Sequence, residues 1–469
     1  MKRRVLFIPI HVSSMVEMFS TAEQIVADSH FEPLFFIFRT IDIRQAEMLK
    51  KRSLEAIGPG MRSNIDSLEK DEQSVKPSNV KFPFLKQLAQ WVEKNTLTAT
   101  LWHTLEYVRM RWKARAILQD YQIAAVVTIG DRHIGWETAI IREAASLQIP
   151  VLIIPYTLSD PQGAVALRLA SDDLQRYEVE TVFQRWLARR FPSWVFSDGD
   201  YLLFFQPLGN ALAAYICGIM PQNPWSLGGG AANRMAVESQ HIYQMLLSQG
   251  VSPQKMLVTG RGSADQIFQT IEAADPEDIR KELGIPSEKP ILLCSVPHLG
   301  EHGLLPWDQH WQEIDFLFKT IASQEQAAVV LSLHPKSDPE AYQPLAAQVG
   351  AIISERRLYE LLPICDLFVS TYSGAVTVAI GCGVPTVLID FYGLGYTYFD
   401  KEPGLVKITQ RDKFLPTLQR FLIDSAYYDE KSVAQKSRGS EWILLDGQCT
   451  RRIADELYRL VDASMDGRK

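Results

Sequence analysis

Short runs of apolar, often β-branched residues alternate along this chain with longer stretches of helical periodicity. In the first half the runs are RVLFIPI (4–10), EPLFFIF (32–38), AAVVTIG (124–130) and PVLIIPY (150–156). A strand followed by a helix, repeated several times, is typical of parallel α/β layers. The pattern therefore predicts a parallel sheet in the first half of the chain.

The second half repeats this pattern. Its runs are KMLVTG (255–260), PILLCSV (290–296), AAVVLSLH (327–334), AIISE (351–355), DLFVS (366–370) and PTVLID (385–390). A chain of 469 residues is too long for a single core. We therefore expect an α/β protein with two Rossmann-like parallel-sheet domains that face a cleft. The expected boundaries are 1–240 and 241–445, and a C-terminal helix at 446–469 is expected to pack back on the first domain.

Composition excludes several classes of protein. With 46% hydrophobic and 22% charged residues, the chain resembles an ordinary globular protein. There are 48 Lys and Arg against 55 Asp and Glu, so the net charge of −7 provides no basic field for nucleic acid. The five cysteines show no CxxC spacing, which argues against a disulfide framework and a cysteine zinc site. Reduced, buried thiols are expected.

Two segments bear on membranes. Leu202 to Met220 is nearly long enough to cross a bilayer, but Gln206 and Pro207 interrupt it, so a buried helix or hairpin is expected. The neighbouring RWLARRFPSW (185–194) mixes arginine with tryptophan. It is interpreted as a solvated amphipathic helix, with peripheral docking at the inner face of a membrane as the alternative. The N-terminal run lacks a signal-peptide cleavage site, and a cytoplasmic protein is expected.

Small polar residues follow two of the predicted strands. LSLHPK ends in His334, Pro335 and Lys336, and LFVSTYSG ends in a hydroxyl-rich turn formed by Ser370, Thr371, Ser373 and Gly374. Ligands bind at the carboxyl ends of parallel strands, and a helix N-terminus offers N–H groups to anions. These residues are therefore predicted to bind a phosphate or diphosphate.

Each of these residues also has a purely structural interpretation. A histidine at a strand end can donate to a phosphoryl oxygen, and it can equally hydrogen-bond within the protein. Pro335 fixes the backbone after it. Lys336 adds positive charge or is simply solvated. The hydroxyls can cap the following helix, which is compatible with binding a phosphate at the same N–H groups.

Three further motifs supply candidate acids and bases. The loop PHLGEHG contains His298, Glu301 and His302, and the sequence leaves open which imidazole points inward. TIGDRHIG places Asp131 after a predicted strand, where a carboxylate is either a general base or a helix cap. His11, after the first strand, is the second candidate base. Neither of these two has an orienting partner that the sequence reveals.

The remaining loops limit the chemistry. Gly228 to Gly230 form a glycine run that suits a ligand loop, a hinge or a plain interdomain linker, and no P-loop motif is present. Asn233 and Arg234, which follow, are candidates for reaching a bound donor. The nearest match to an aspartate pair is SDGD (197–200), so a metal-independent protein is expected, with no metal ligands. Arg261, in the TGRG loop expected to open the second domain, is predicted to bind phosphate beside His334.

Four segments taken in order carry a resemblance to a known family. They are LVTGRGSADQI (257–267), ILLCSVPHLGEHG (291–303), LSLHPK (331–336) and the run from Leu358 to Asp390. They resemble the second domain of glycosyltransferases with the GT-B fold, including capsule and teichoic-acid transferases with a His-Pro motif and bacterial sialyltransferases. They are also similar to the UDP-N-acetylglucosamine 2-epimerases. The resemblance covers roughly residues 250 to 395.

The resemblance implies an inverting glycosyltransferase that uses a CMP- or UDP-linked sugar and no cofactor. Its acceptor would be a glycan or a lipid-linked sugar in surface polysaccharide synthesis, bound by the first domain. The epimerases carry a catalytic histidine and an acid near His298 and Glu301. They also carry a glutamate where this chain has Thr377, Val378 and Ala379, a departure that favours a cytidine donor. An epimerase-like enzyme and a non-catalytic scaffold subunit are the alternatives.

Overall fold

The two predicted halves of the chain are recovered as two units in a computed structural model. It describes residues 3–38, 43–59, 95–156, 161–169, 173–199, 201–393 and 397–466. Unit 1 comprises Met1–Glu238, Ile242–Ser263 and Gln448–Lys469, and unit 2 comprises Ser239–His241 and Ala264–Gly447. The polar sequence from Ser63 to Pro83 predicts an exposed loop, and this segment lies outside the described residues.

Unit 1 contains a seven-stranded parallel sheet with the order β3-β2-β1-β4-β5-β8-β9. Its strands are β1 (Arg4–Ile8), β2 (Glu32–Phe36), β3 (Glu55–Ile57), β4 (Ile123–Thr128), β5 (Val151–Ile153), β8 (Arg234–Val237) and β9 (Met256–Val258). A separate antiparallel hairpin consists of β6 (Val195–Asp198) and β7 (Tyr201–Phe204). The strand order reverses direction between β1 and β4, which is the arrangement of a doubly wound sheet.

The helices of unit 1 cover both faces of this sheet. They are α1 (Val12–Ala27), α2 (Ile43–Lys51), α3 (Thr96–Asp120), α4 (Trp136–Ser146), α5 (Pro161–Leu169), α6 (Val182–Arg190), α7 (Leu208–Ile216) and α17 (Cys449–Asp466). Alternate residues of β1 enter two different cores: Leu6 packs with residues of α3 and α4, and Phe7 packs with residues of α1 and α17. Strands buried on both faces explain why their sequences are apolar throughout.

Unit 2 contains a six-stranded parallel sheet with the order β12-β11-β10-β13-β14-β15. Its strands are β10 (Ile291–Ser295), β11 (Ala328–Ser332), β12 (Ile352–Ile353), β13 (Leu367–Ser370), β14 (Thr386–Ile389) and β15 (Leu405–Ile408). Numbered within the unit, this is the order 3-2-1-4-5-6 of a dinucleotide-binding sheet. The change of direction falls between β10 and β13.

A further helix of unit 1, α8 (Gln240–Ser248), packs in its core through Ile242 and Leu246. The helices that follow are α9 (Gly262–Glu272), α10 (Pro276–Glu282), α11 (Trp307–Ala322), α12 (Pro339–Val349), α13 (Leu358–Leu361), α14 (Gly374–Gly381), α15 (Phe414–Ile423) and α16 (Ser425–Trp442). One core of unit 2 joins Leu292 of β10 and Val369 of β13 to Phe318 of α11 and Phe414 of α15. Both units thus have the predicted architecture of parallel strands with crossover helices.

The division between the units differs from the predicted boundary at residue 241. KMLVTG was expected in the second domain, but its strand β9 pairs with β8 at the edge of the unit 1 sheet. Strand β8 itself was hidden in a segment interpreted as a linker. Helix α17 belongs to unit 1, where Ile453 and Leu457 pack against the same core as Met15 of α1.

The segment from Leu202 to Met220 forms the end of β7 and then helix α7. The turn at Gln206 and Pro207 separates them, as the sequence indicated. Among the described residues, no helix combines the length and apolar character needed to span a bilayer.

Candidate functional site

The carboxyl ends of three adjacent strands carry the polar motifs of unit 2. Strand β10 lies between β11 and β13, and all three are parallel. The loop after β10 contains His298, the turn after β11 contains His334, and the turn after β13 contains Ser373. Ligands of open parallel sheets bind where the strand order changes direction, which here is between β10 and β13. The topology therefore brings these motifs to one edge of the sheet.

Three imidazoles meet at this edge. The rings of His298 and His334 are stacked, with centroids 4.0 Å apart. His302 lies edge-on to His298, with ring centroids 4.2 Å apart. The backbone N–H of His302 donates to the carbonyl of His298, a single helical turn that places both side chains on one face. Both imidazoles of PHLGEHG thus approach His334, which settles the choice that the sequence left open.

A tight turn fixes the orientation of His334. The Ser337 N–H donates to the His334 carbonyl over 2.8 Å, and Pro335 occupies the second position of this turn, where its fixed φ is favoured. The Lys336 N–H donates to Nδ1 of His334 over 3.1 Å. Because Nδ1 accepts this bond, the proton of the neutral ring is assigned to Nε2. Nε2 is then a hydrogen-bond donor even when the ring is uncharged.

Two of these histidines, His298 and His334, are held in their neutral form. Burial, together with the neighbouring His334 and His302, lowers the pKa of His298 to about 4, although Glu301 opposes the fall. Burial, with His302 and Lys336, also lowers the pKa of His334. An anion bound among these rings would oppose the same effects and favour protonation.

Three histidines also form a potential metal ligand set. Their ligand nitrogens all lie within 4.8 Å of one another, and three imidazoles suit Zn²⁺. A metal-bound histidine normally donates from its other nitrogen, whereas Nδ1 of His334 accepts a hydrogen bond. His334 would have to lose that bond or turn its ring to bind a metal. As it stands, the arrangement is better suited to donating hydrogen bonds to an anion.

Glu301, which was predicted to bind the nucleotide, is hydrogen-bonded within the protein. Its Oε1 accepts hydrogen bonds from Ser337 (2.5 Å) and Tyr342 (2.7 Å), and its Oε2 is buried 3.9 Å from Nε2 of His310. Burial raises the pKa of Glu301, but these hydrogen bonds outweigh it and the net pKa lies below its usual value. The carboxylate joins the loop after β10 to the turn after β11, so it positions the histidines.

His310 completes this network and was missed in the sequence. It is fully buried at the start of α11, its Nδ1 accepts from the Gly300 N–H (3.2 Å), and its Nε2 lies 2.9 Å from the Tyr342 hydroxyl. A Cβ at Gly300 would lie 2.9 Å from the ring of Trp307, so only glycine fits there. The signal was weak because His310 lies within an amphipathic helix.

The turn after β13 has the predicted hydroxyls in distinct positions. Ser373 is the N-cap of α14, and its Oγ accepts from the Ala375 N–H over 3.2 Å. Ser370 is buried, and its Oγ has no hydrogen-bond partner within the described residues. Thr371 is also buried, and a Cβ at Gly374 would meet no atom within 4 Å. The helix N-terminus is therefore capped and has open space beside it.

Residues in the place of the family's glutamate do not supply a carboxylate. Thr377 donates instead to the carbonyl of Gly374 over 2.7 Å. A nearby acid comes from a different strand: Asp390 follows β14 and accepts from the Tyr372 hydroxyl over 3.3 Å. The strand motif PTVLID contained this signal, since Asp390 directly follows its apolar residues.

Asp131 was predicted to be a general base, and its surroundings argue against that role. Its side chain is fully buried, and Oδ2 lies 2.7 Å from Nζ of Lys255. Oδ1 accepts from the N–H of Gly228, and Oδ2 accepts from that of Gly230. A carboxylate held by three donors in the interior is shielded from an acceptor hydroxyl, so these contacts favour a structural role for Asp131.

The glycine run lies in unit 1, where the N–H groups of Gly228 and Gly230 donate to Asp131. A Cβ at Gly230 would lie 2.0 Å from the Asp131 carbonyl oxygen. The two residues predicted to reach a donor are also engaged: Asn233 accepts from the Val151 N–H, and Arg234 lies 2.8 Å from Glu456.

Arg261 was predicted to join His334 at the phosphate, but it belongs to unit 1. Its guanidinium lies 3.8 Å from Oε1 of Glu238, which directly follows β8. Burial raises the pKa of Glu238, although Arg261 opposes the rise. The predicted placement of Arg261 in the second domain was wrong because β9, the strand that precedes it, belongs to the sheet of unit 1.

His11 remains the candidate base in unit 1. It is exposed, it follows β1, and its position beside the change of strand direction corresponds to that of His298 in unit 2. It lines a cavity of about 290 Å³ with Ile10, Phe38 and Gln45. The cavity combines an aromatic wall with two polar side chains, a composition that suits a sugar ring.

Comparison with known proteins identifies the fold. No protein-family model matches the chain, and no curated protein sequence does. CalG4, the calicheamicin glycosyltransferase, has 13% identity and a TM-score of 0.54 over 98% of each chain. UDP-GlcNAc 2-epimerase from Neisseria meningitidis, solved with UDP-GlcNAc, has 12% identity and a TM-score of 0.51 over 98% of this chain and 100% of that chain.

The glycosyltransferase of kitacinnamycin is similar as well, with 13% identity, a TM-score of 0.52, and coverage of 97% and 98% of the two chains. Likeness at these identities establishes the fold. The chain has the two-Rossmann-domain GT-B fold, which confirms the predicted fold class.

Proposed function

We propose that the protein is a nucleotide-sugar-dependent glycosyltransferase whose donor phosphate binds at the edge of the unit 2 sheet, among His298, His334 and the N-terminus of α14. The observation that carries the proposal is the hydrogen bond at Nδ1 of His334, which leaves Nε2–H as a donor. The open space beside Gly374 is available to a phosphoryl group. Similarity to glycosyltransferases and to an epimerase solved with UDP-GlcNAc supports a nucleotide-sugar ligand.

The proposed reaction is an inverting displacement. An acceptor hydroxyl attacks the anomeric carbon, the bond from that carbon to the phosphate oxygen breaks, and the leaving phosphate keeps the electron pair. His334 and the α14 N–H groups stabilise the charge that develops on the phosphate. The acceptor, a glycan or a lipid-linked sugar of a surface polysaccharide, is proposed to bind in unit 1.

His11 is the proposed general base, because Asp131 is engaged in the interior. An exposed imidazole that lines a cavity is accessible to an acceptor hydroxyl, and histidine is the side chain that most often serves as a general base. It would take the proton that the hydroxyl loses. Replacing His11 with Gln is expected to lower kcat, because no group at this position would then accept that proton.

An epimerase activity is the second candidate, favoured by the position of His298 in the loop after β10 and by the similarity to the Neisseria enzyme. The absence of a carboxylate at Thr377, Val378 and Ala379 weighs against it. An epimerase acts on the nucleotide-sugar alone, whereas a transferase requires an acceptor. Incubation with UDP-N-acetylglucosamine alone, followed by chromatography of the sugar, separates the two.

The donor class is tested by a thermal-shift series with CMP, CDP, UDP and GDP. A ligand that binds only the folded protein raises its unfolding temperature by mass action. We expect a response to the cytidine or uridine nucleotides that is lost in His334→Ala. Responses that are absent for every nucleotide, or that are unchanged in the variant, would refute the proposed site and favour a non-catalytic scaffold subunit.

A further inference from the structure

Helices α3, α7 and α6 of unit 1 pack side by side in one layer. Helix α7 packs against α3, where a Cβ at Gly209 would lie only 2.7 Å from that of Ala99 and the Tyr107 hydroxyl donates to Asn210 over 2.8 Å. On its other side, α7 shares an apolar cluster with Leu187 and Ala188 of α6. Most of the exposed large apolar side chains in the described residues belong to this layer and to the adjoining β7.

Helix α3 is apolar on two faces. Its inner face buries a set of residues that includes Tyr107 and Ile117. A second row of exposed residues recurs at steps of four or three positions and consists of Leu97, Leu101, Leu105, Val108 and Trp112. This spacing places the row on one face of the helix, opposite the buried residues. Leu97 is 80% exposed and Trp112 is 72% exposed, so the row contacts solvent.

Helix α6 presents aromatic and basic side chains together. Phe183 and Trp186 are more than half exposed, with their rings stacked 6.1 Å apart. Arg185, Arg189 and Arg190 are exposed on the same short helix, which contains no acidic residue. Large apolar side chains beside basic ones are typical of helices that lie in a membrane interface.

A depression beside α6 has the same mixed character. It measures about 300 Å³ and is lined by Arg185 and Arg189 together with Ala188, Val195 and Leu202. Nearly all of its surface is apolar, so it suits the first acyl carbons of a lipid, and the arginines whose side chains line it supply positive charge for an anionic lipid's phosphate. Because the chain as a whole carries a net charge of −7, this local concentration of arginine is not a consequence of composition.

We propose that the exposed surface of α3, α6 and α7 docks the protein peripherally on an anionic phospholipid bilayer. The arginines select this occupant: two copies of the chain meeting through α6 would bring like charges together, whereas lipid phosphates neutralise them. In this arrangement the exposed Leu, Phe and Trp side chains of α3 and α6 are buried among the lipid acyl chains. This inference goes beyond the proposed function and uses none of its residues.

The test is flotation of the full chain with vesicles of 30% phosphatidylglycerol and 70% phosphatidylcholine, compared with pure phosphatidylcholine. We expect binding to the anionic vesicles that weakens as salt is raised. Leu101→Ser with Leu105→Ser, and separately Phe183→Ser with Trp186→Ser, should each lower the partition coefficient at least tenfold. Arg185→Gln with Arg189→Gln should remove the preference for phosphatidylglycerol and its salt dependence.

A matched control is available in unit 2, where Ile423 and Val433 are 72% and 68% exposed. Ile423→Ser with Val433→Ser should leave the partition unchanged, and circular dichroism should show all variants folded. Failure of the natural chain to bind anionic vesicles at low salt, or equal losses in the control, would overturn the proposal. Light scattering that shows a dimer abolished by the Leu101 and Leu105 changes would instead identify a second copy as the occupant. Nucleotide binding is measured separately and is expected to be unaffected by these changes.

Discussion

The hydrogen bond from the Lys336 N–H to Nδ1 of His334, 3.1 Å long, decides what that histidine can do. With Nδ1 accepting, the mobile proton lies on Nε2, and the ring donates from the atom that extends beyond the turn. The same bond disfavours a second proton at Nδ1 and so agrees with the lowered pKa of His334. Its expected contribution is therefore a directed hydrogen bond to a bound phosphate.

Two replacements of His334 distinguish the contribution of its Nε2–H donor from that of the whole imidazole ring. His334→Ala should lower the rate of sugar transfer by about 10²- to 10³-fold, the usual effect of removing one donor to a developing negative charge. His334→Gln should retain part of the activity, since its amide nitrogen extends to a similar distance as Nε2. Single-turnover rates and unfolding temperatures are the measurements. Equal activity of His334→Ala and the natural protein would contradict the site.

His298 should make the folded state sensitive to mild acid. Its pKa falls from an ordinary 6.5 to about 4 on folding. As the pH is lowered, the unfolded chain therefore binds a proton at this histidine at a higher pH than the folded protein does. The stabilisation is fully present above pH 6.5 and is lost as the pH falls from 6.5 to 4. Because the ring is partly solvated, the loss is expected to be no more than about 2 kcal/mol.

Urea unfolding of the natural protein and of His298→Asn across this pH range measures that loss. The variant lacks the titrating ring and should show a flatter dependence of stability on pH. Nucleotide binding should be accompanied by proton uptake near pH 5 to 6, detectable by calorimetry in two buffers. A proton signal of the His298 ring that titrates near pH 6.5 in the free protein would contradict the prediction.

Glu301 is expected to stabilise the two histidine loops through its charge. Glu301→Gln weakens the hydrogen bonds from Ser337 and Tyr342, and should lower the free energy of unfolding at pH 7 by about 1–3 kcal/mol. The folded pKa is depressed, so the stabilisation is present above the unfolded pKa and is lost as the pH falls through the folded value. The difference between the natural protein and the variant should therefore shrink below about pH 4.

Tyr342→Phe provides a companion measurement for that network. It removes the hydroxyl between His310 and Glu301 while the carboxylate stays in place. We expect weaker nucleotide binding in both variants, since the turn after β11 loses an anchor. If Glu301→Gln abolished transfer with no change in stability or nucleotide affinity, Glu301 would act on the substrate directly, contrary to the assignment.

Asp131 and Lys255 should behave as a buried structural pair. Lys255→Met leaves the Asp131 carboxylate uncompensated in the interior and should lower the free energy of unfolding by about 3–5 kcal/mol. Asp131→Asn is expected to destabilise unit 1 but to keep kcat within a fewfold per folded molecule, because the acid takes no proton from the acceptor. Loss of kcat by several orders of magnitude in a stable Asp131→Asn protein would restore its role as the base.

The sequence by itself determined the layered architecture and the positions of most polar turns. Apolar runs specify buried parallel strands because a strand covered on both faces has no polar side, and their ends located His334, Ser373 and His298. The fold class followed from the same periodicity. Local rules sufficed here because each strand, turn and cap involves residues that are neighbours in the chain.

Only the tertiary structure decided which of those polar residues are engaged elsewhere. The sequence suggested a general base at Asp131, but in the structure this carboxylate is bound by Lys255 and the glycine run. The sequence likewise suggested a ligand contact at Glu301, whose carboxylate accepts hydrogen bonds from Ser337 and Tyr342. Arg261 belongs to unit 1, and not to the predicted second domain, because β9 pairs with β8. The sequence did not reveal β8, because it directly follows a glycine-rich loop. Charges are assigned by the groups that solvate them, and those groups come from distant parts of the chain that sequence spacing does not join.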